Sequence, residues 1–522
     1  MRTPAIIQRP RRVQSVTFPA PTAGWVSNRN LSMAEEGGPA AEVLENWFPT
    51  STGIRLRRGY VQWTAIPAAV VSLFSYSAGG AKQLFAASPA GIYNITTQGA
   101  APSVRTGLTS GDWVTAQYTT AGGTFLIGVN GQDPAWSYDG TTFALSAITF
   151  PVGSGKTTAN LSYTWVYRNR IWFIEKNSLN AWYLPGDQIA GELTLWPMGG
   201  VFQLGGALLW GQTWSIEGGG GLTGQCVFMT TEGEVAAYQG LSPDPGQGWT
   251  HVGTYRTGRP LGAKALVRAG GDLLIATTVG LISLAQAARS DYAALGKSAV
   301  SYSIEDEWAR YVSERGESNW RCQVWSEGQM MLVAPPTISE TDPNVLVTNT
   351  NTAAWCLFSG WDISALSAFN GRLFFGSPDG TINLASVSGT DNGKPYVGRS
   401  LPLFTDGGAP GSVKIVRHAR ALTRSEYGAK IKVTAQFNFN TKFPAAPDAL
   451  VPSDASLWDV AEWDISTWAT TSQPLVVGKW ISIGGSGHDV SVATQVTSSS
   501  IAPLDVELVR MDVTYEIAGI VT

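Results

Sequence analysis

The sequence predicts an all-β protein: a β-propeller of about seven blades, or six if one unit is displaced, with a C-terminal β-sandwich-like platform domain and an extended N-terminal arm. Three observations predict it. A short apolar strand that turns and comes back as a second strand recurs seven times. The 59 glycines and 28 prolines follow no collagen period and fall between apolar strands, as in turn-rich all-β folds. Past about residue 405 the hairpins give way to longer alternating strands.

The clearest hairpins are residues 84–93, 273–282 and 373–382, and looser copies begin near Phe125, Ile171, Val227 and Met330. They are spaced by roughly 40 to 60 residues, the length of a four-stranded blade. One unit reads as strands at 113–118, 124–129, 135–138 and 143–147, and the next as 163–167, 171–175, 181–184 and 192–196. Further lead strands are expected at 70–76, 263–268, 321–325 and 363–369. The division is therefore an N-terminal arm and docking segment (1–64), a propeller (65–404) and a platform or assembly domain (405–522).

Within the arm, residues 40–48 read as a short helix closed by Pro49. The segment 53–60 reads as a strand with Ile54 and Leu56 on one face and Arg55 and Arg57 on the other. Inside the propeller, the glycines at 218–221 and the stretch 335–344 read as insertions at blade tips. Residues 303–316 read as a helix, because Ile304, Trp308 and Tyr311 share a face and Glu305, Asp306 and Glu307 suit its N-terminus. Platform strands are expected at 414–423, 430–438, 475–483, 489–497 and 505–516. Between them, Trp458, Trp463 and Trp468 repeat every five residues, a period of neither helix nor strand, and read as a structured docking loop.

Composition narrows the function classes. Charged residues make up 14% and apolar residues 44%, which excludes general disorder. A net charge of −4 disfavours a globally basic nucleic-acid binder, and Arg9, Arg11 and Arg12 read as a solvated arm. Three scattered cysteines (Cys226, Cys322, Cys356) do not form a disulfide framework and fit folding in a reducing cytoplasm. The sequence carries neither a secretion signal nor an apolar run long enough to span a membrane.

The chemistry-bearing residues are sparse. His251, His418 and His488 have no second ligand at metal-site spacing, so no metal is expected. A Gly-x-Ser-x-Gly elbow is missing. Gly153 to Thr157 resembles the tail of a phosphate-binding loop but lies between strands with no helix following, so no cofactor is expected either. Asp112, Asp139, Glu175, Asp272 and Asp379 are blade-edge carboxylates of the kind that glycosidases pair. Trp210, Trp214 and Trp249 could stack on sugars, with core packing the simpler reading.

Residues 42–49, with Asn46-Trp47-Phe48-Pro49, and residues 53–60, with Arg55, Arg57, Gly59 and Tyr60, resemble a segment of the tail nozzle or hub proteins of short-tailed bacteriophages. That family includes tail tubular protein B and the packaged-DNA stabilisation proteins. Residues 346–349, 354–356 and 369–376 and the Trp458–Trp463–Trp468 loop are similar to the same group, so the resemblance runs from about residue 20 to the end. It implies a non-enzymatic virion protein, made in the bacterial host cytoplasm and assembled into the tail. It would form a homo-oligomeric, six-fold ring below the tail adaptor and portal and contact tail fibre or tip proteins. Such a ring closes the channel after packaging and opens it at ejection, and viral DNA passes through without sequence-specific binding.

On this reading Asn46, Trp47, Phe48, Pro49, Arg55, Arg57, Tyr60, Trp458, Trp463 and Trp468 are the candidates for assembly and docking. Gly219, Gly220, Leu222, Pro335, Pro336 and Ile338 are the candidates for a gate or distal tip. The alternative is a carbohydrate-binding or glycosidase-like propeller acting in host receptor recognition.

Overall fold

The computed structural model describes residues 13–28, 38–218, 221–338, 343–425, 430–449 and 475–518. Among these residues the chain is mostly β, with its strands arranged as propeller blades. It divides into two compact units: residues 62–346 with 360–385, and residues 1–61 with 347–359 and 386–522. The expected boundaries at 64/65 and 404/405 differ from this grouping. The arm belongs with the C-terminal strands, because Val13–Pro19 lies antiparallel along Glu507–Ile517 with Val13 opposite Glu516.

In the unit from residue 62 to 385, four-stranded antiparallel sheets follow one another along the chain. They begin at Ser72–Ala78, Val114–Thr120, Leu161–Tyr167 and Leu208–Gly218. Leu266–Ala269, Asp272–Thr277 and Gly280–Ser283 form a three-stranded sheet. In place of a fourth strand the chain runs into short helices and then helix Glu305–Arg315. The expected face is the buried one: Ile304, Trp308 and Tyr311 are inside, Trp308 Nε1 donates to Thr277 O (2.9 Å), and Gly316 ends the helix at φ +82°.

The lead strands touch in closed succession: Ser72–Ala78, Val114–Thr120, Leu161–Tyr167, Leu208–Gly218, the 266–277 hairpin, Arg321–Trp325, Ala365–Phe369, and back to Ser72–Ala78. Closure is helped by the last sheet, Ala365–Phe369, Arg372–Gly376 and Thr381–Ser388, whose outer strand is Gly59–Ala65 from the start of the chain. Pairing the two ends of the ring in one sheet joins them through a ladder of hydrogen bonds. The core between sheets is aromatic. Trp136, Trp172, Trp210 and Phe228 are fully buried, and Trp172 stacks on Trp249 with ring centres 5.5 Å apart.

In the other unit one sheet runs Leu475–Val477, Lys414–Ser425, Glu507–Ile517, Ile54–Leu56, Trp47–Pro49. A second contains, in order, Trp355–Ser359, Gly24–Trp25, Ala40–Glu45, Tyr396–Pro402, Val490–Ser498 and Ile431–Phe437. Four of the five expected platform strands appear nearly as read. The fifth, 475–483, is broken after Val477, leaving Trp480 45% exposed with the Arg420 guanidinium 4.7 Å over its ring.

Two expectations are corrected here. Residues 40–48 are not a helix but two strands, Ala40–Glu45 and Trp47–Pro49, joined at Asn46 with φ +59°. A bulge between Ala41 and Val43 shifts the alternation by one residue, so the buried Ala41 and Leu44 stand three apart, a spacing that imitates a helix. The strand at 53–60 also stops at Leu56. Arg55 points to solvent as expected, but Arg57 does not share its face; it lies buried, 3% exposed.

Candidate functional site: a charged cavity where the lead strands meet

The first residues of successive lead strands converge on a cavity of about 240 Å³. Its polar lining includes Ser72, Gln212, Lys264, Arg268, Arg321 and Gln323, drawn from four lead strands and their lead-ins. Ser72 Oγ accepts from Trp113 N (2.9 Å), which ties one lead strand to the entry of the next. Asp112 sits beside it, with its backbone N–H donating to Ser110 Oγ (3.2 Å).

Lys264 is the centre of the cluster. Its Nζ donates to Asp112 Oδ1 (2.7 Å) and to Ser72 Oγ (2.8 Å). Arg321 Nη2 reaches the same Asp112 oxygen at 3.3 Å, and Arg321 Nε donates to Ser364 O (3.3 Å). The Lys264 and Arg321 side chains are 23% and 11% exposed, against 44% for Asp112. Burial pushes the Lys264 ammonium down to about 8; Arg321 adds to the fall and Asp112 opposes it. At Asp112 burial raises the carboxyl, but Lys264 and Arg321 outweigh it and hold the group below the usual carboxylate range. The arrangement is one carboxylate among three cations, Lys264, Arg268 and Arg321, which is suited to holding negative charge.

Of the five carboxylates read from sequence, only Asp112 is at this cavity. Asp139 and Asp379 bind their own turns, accepting from the backbone of Thr141 and Thr142 and from Thr381. Glu175 is held by Lys156, Asn180 and Trp182. Asp272 accepts from Trp214, Ser283 and the Ala285 backbone. Each has separate partners, so the five do not form a catalytic pair. Trp210 and Trp214 are core residues, and Trp249 is packed between Trp172 and Tyr238, so core packing accounts for all three. His251 bonds Thr254 Oγ1 (3.0 Å), and no group of three metal-binding side chains exists among the described residues.

The docking candidates near the N-terminus form a second cluster in the other unit. Asn46, Trp47, Phe48 and Pro49 are buried there, and Asn349 Nδ2 donates to Pro49 O (2.9 Å). Arg57 forms a two-pronged contact with Asp391 (2.8 and 2.6 Å). Its Nε donates to Asn46 Oδ1 (2.7 Å) and its Nη2 to Ser359 O (2.7 Å). Its guanidinium lies 4.0 Å over the Tyr396 ring, and burial pushes that phenol up to about 12. Tyr60 is half-buried, its carbonyl accepting from Asn392 N (2.8 Å), and Arg55 is exposed. Trp458, Trp463 and Trp468 lie outside the described residues.

Gly219 and Gly220 also lie outside them, and Leu222 belongs to the strand Gly221–Thr230. Pro335 is buried, Pro336 accepts through its carbonyl from Arg315 Nη1 (3.3 Å), and Ile338 is 64% exposed.

Sequence reasoning singled out Asp112 but not Ser72, Lys264 or Arg321 as a group. The available signal was positional: all lie at the same phase of the repeat, where a lead strand begins.

No protein-family model matches the sequence, and no curated protein matches it. Solved structures do. One is a chain from the crystal structure of BBS1N in complex with ARL6DN (10% identity, TM-score 0.37, 63% of this chain and 97% of that one). Another is YCF48 bound to D1 peptide (9%, TM-score 0.35, 63% and 94%). A third is the computationally designed Ika8 protein (9%, TM-score 0.33, 63% and 100%).

Proposed function

We propose that this chain is a structural, non-enzymatic component of a short-tailed phage virion, a nozzle or hub subunit that assembles with copies of itself into a six-fold ring. The observation that carries the proposal is the resemblance of residues 42–49 and 53–60 to that family. Its support in the fold is that Asn46 and Arg57, the middle of the resembling segments, anchor the N-terminal chain into the sheets built from the C-terminal strands. In this reading the closed succession of lead strands is a propeller of seven blades serving as a rigid wall. The two-sheet unit is a platform for neighbouring subunits and the tail adaptor. Fibre or tip proteins attach beyond it, and DNA passes the ring without sequence-specific contacts.

Mass photometry of the purified chain, alone and with the adaptor protein of the same virus, tests this reading. Six-subunit rings support it; a chain that stays monomeric even with the adaptor sinks it.

A further inference from the structure

We propose that the cavity among the lead strands is a binding site for a small oxyanion with the size and charge of inorganic phosphate or sulfate. The site is independent of the tail reading and rests on unbalanced charge within a built cavity. Three cationic side chains line or reach it and one carboxylate answers them, through a single oxygen that both Lys264 and Arg321 contact. Lys264 carries three N–H donors, two of them directed to Asp112 and Ser72, which leaves one for a ligand. Arg321 engages Nε and Nη2, and its Nη1 has no partner among the described residues. Arg268 forms no ion pair among the described residues.

An oxyanion placed here would accept from the free Lys264 and Arg321 donors together, and such charge-assisted bonds are the strong ones. It would also relieve the repulsion between the two cations, the same repulsion that helps lower the Lys264 ammonium. The cavity, about 240 Å³, is below the drug-sized range of roughly 300–1,000 Å³ but holds a tetrahedral anion with several waters.

Calorimetric titration of the full-length chain with sodium phosphate, against sodium chloride at equal ionic strength, tests the site. One saturable phosphate per chain is expected, with no matching chloride signal. Lys264→Met should weaken it by about tenfold, the loss of one charge-assisted hydrogen bond. Arg268→Gln, an exposed change that breaks no bond among the described residues, should weaken it by about threefold and decides the matter if Lys264→Met does not fold. The proposal is overturned if phosphate produces no more heat or thermal stabilisation than chloride. It is equally overturned if the folded variants bind phosphate as tightly as the parent chain, which would put the anion elsewhere.

Discussion

Arg57 and Lys264 each bind a carboxylate from a distant part of the chain, yet they do opposite things with their remaining donors. The Arg57 side chain is 1% exposed and all five of its N–H groups are accounted for: two to Asp391, and the others to Asn46 Oδ1, Ser359 O and Arg58 O. Tyr396 covers one face of the guanidinium. Lys264 and Arg321 share one oxygen of a half-exposed aspartate and keep donors in reserve. A saturated buried charge acts as a joint, since it can take no new partner without breaking an old one. An unsaturated, accessible one has capacity for a ligand.

The largest effect is expected at the joint. Arg57→Ala strands the Asp391 carboxylate in a buried site and should destabilise its unit by about 3–5 kcal/mol in urea unfolding. A loss below about 1 kcal/mol would mean the network is dispensable. Asn46→Ala should cost about 2–3 kcal/mol, because it removes the acceptor of Arg57 Nε and places a Cβ residue with less local support at φ +59°. Asn46→Gly, free of the backbone strain, should recover part of that loss in the same measurement.

At the cavity the expected stability effect is smaller. Lys264→Met should change unfolding free energy by no more than about 1 kcal/mol, as for partly exposed ion pairs. A loss comparable to that at Arg57 would make Lys264 a joint as well. The pH dependence of the same site is a separate test. The folded Lys264 ammonium titrates near 8, below its ordinary 10.5, so between these values the unfolded chain binds more protons and stability rises with pH. The cost of the buried charge is fully present below pH 8 and is relieved towards 10.5. Of the neighbours that face it, Asp112 is held low and the Tyr163 phenol and Cys322 thiol are pushed up to about 12. Stability of the parent chain minus that of Lys264→Met should therefore climb across this window; a flat difference would show that Lys264 is not buried in solution.

Much of the fold was legible because it is local. The strand at 321–325 was read to the residue, and those at 113–118 and 163–167 to within two, since alternation of apolar side chains marks a pleated strand by itself. The helix at 305–315 was legible through its three-residue and four-residue spacing. Residues 40–45 failed the same test for a physical reason: a bulge gave Ala41 and Leu44 a helix-like spacing, and pairing with Tyr396–Pro402 overrode the helix-forming alanines and glutamates. Arg57 failed it too, because alternation assumed that a strand continues past Leu56, and an arginine in sequence carries no sign that a buried aspartate awaits it.

By itself, then, the chain's pattern determined an all-β propeller repeat, its lead strands and the change of register beyond residue 405, since each follows from which side chains a single strand or helix must bury. Tertiary structure alone decided that residues 13–19 pair with 507–517, that Arg57 meets Asp391, and that Lys264 gathers Asp112, Ser72 and Arg321 around one cavity. Those contacts join residues separated by long stretches of chain. Their energies depend on pairs brought together by ring closure and strand register, which no local window of sequence contains.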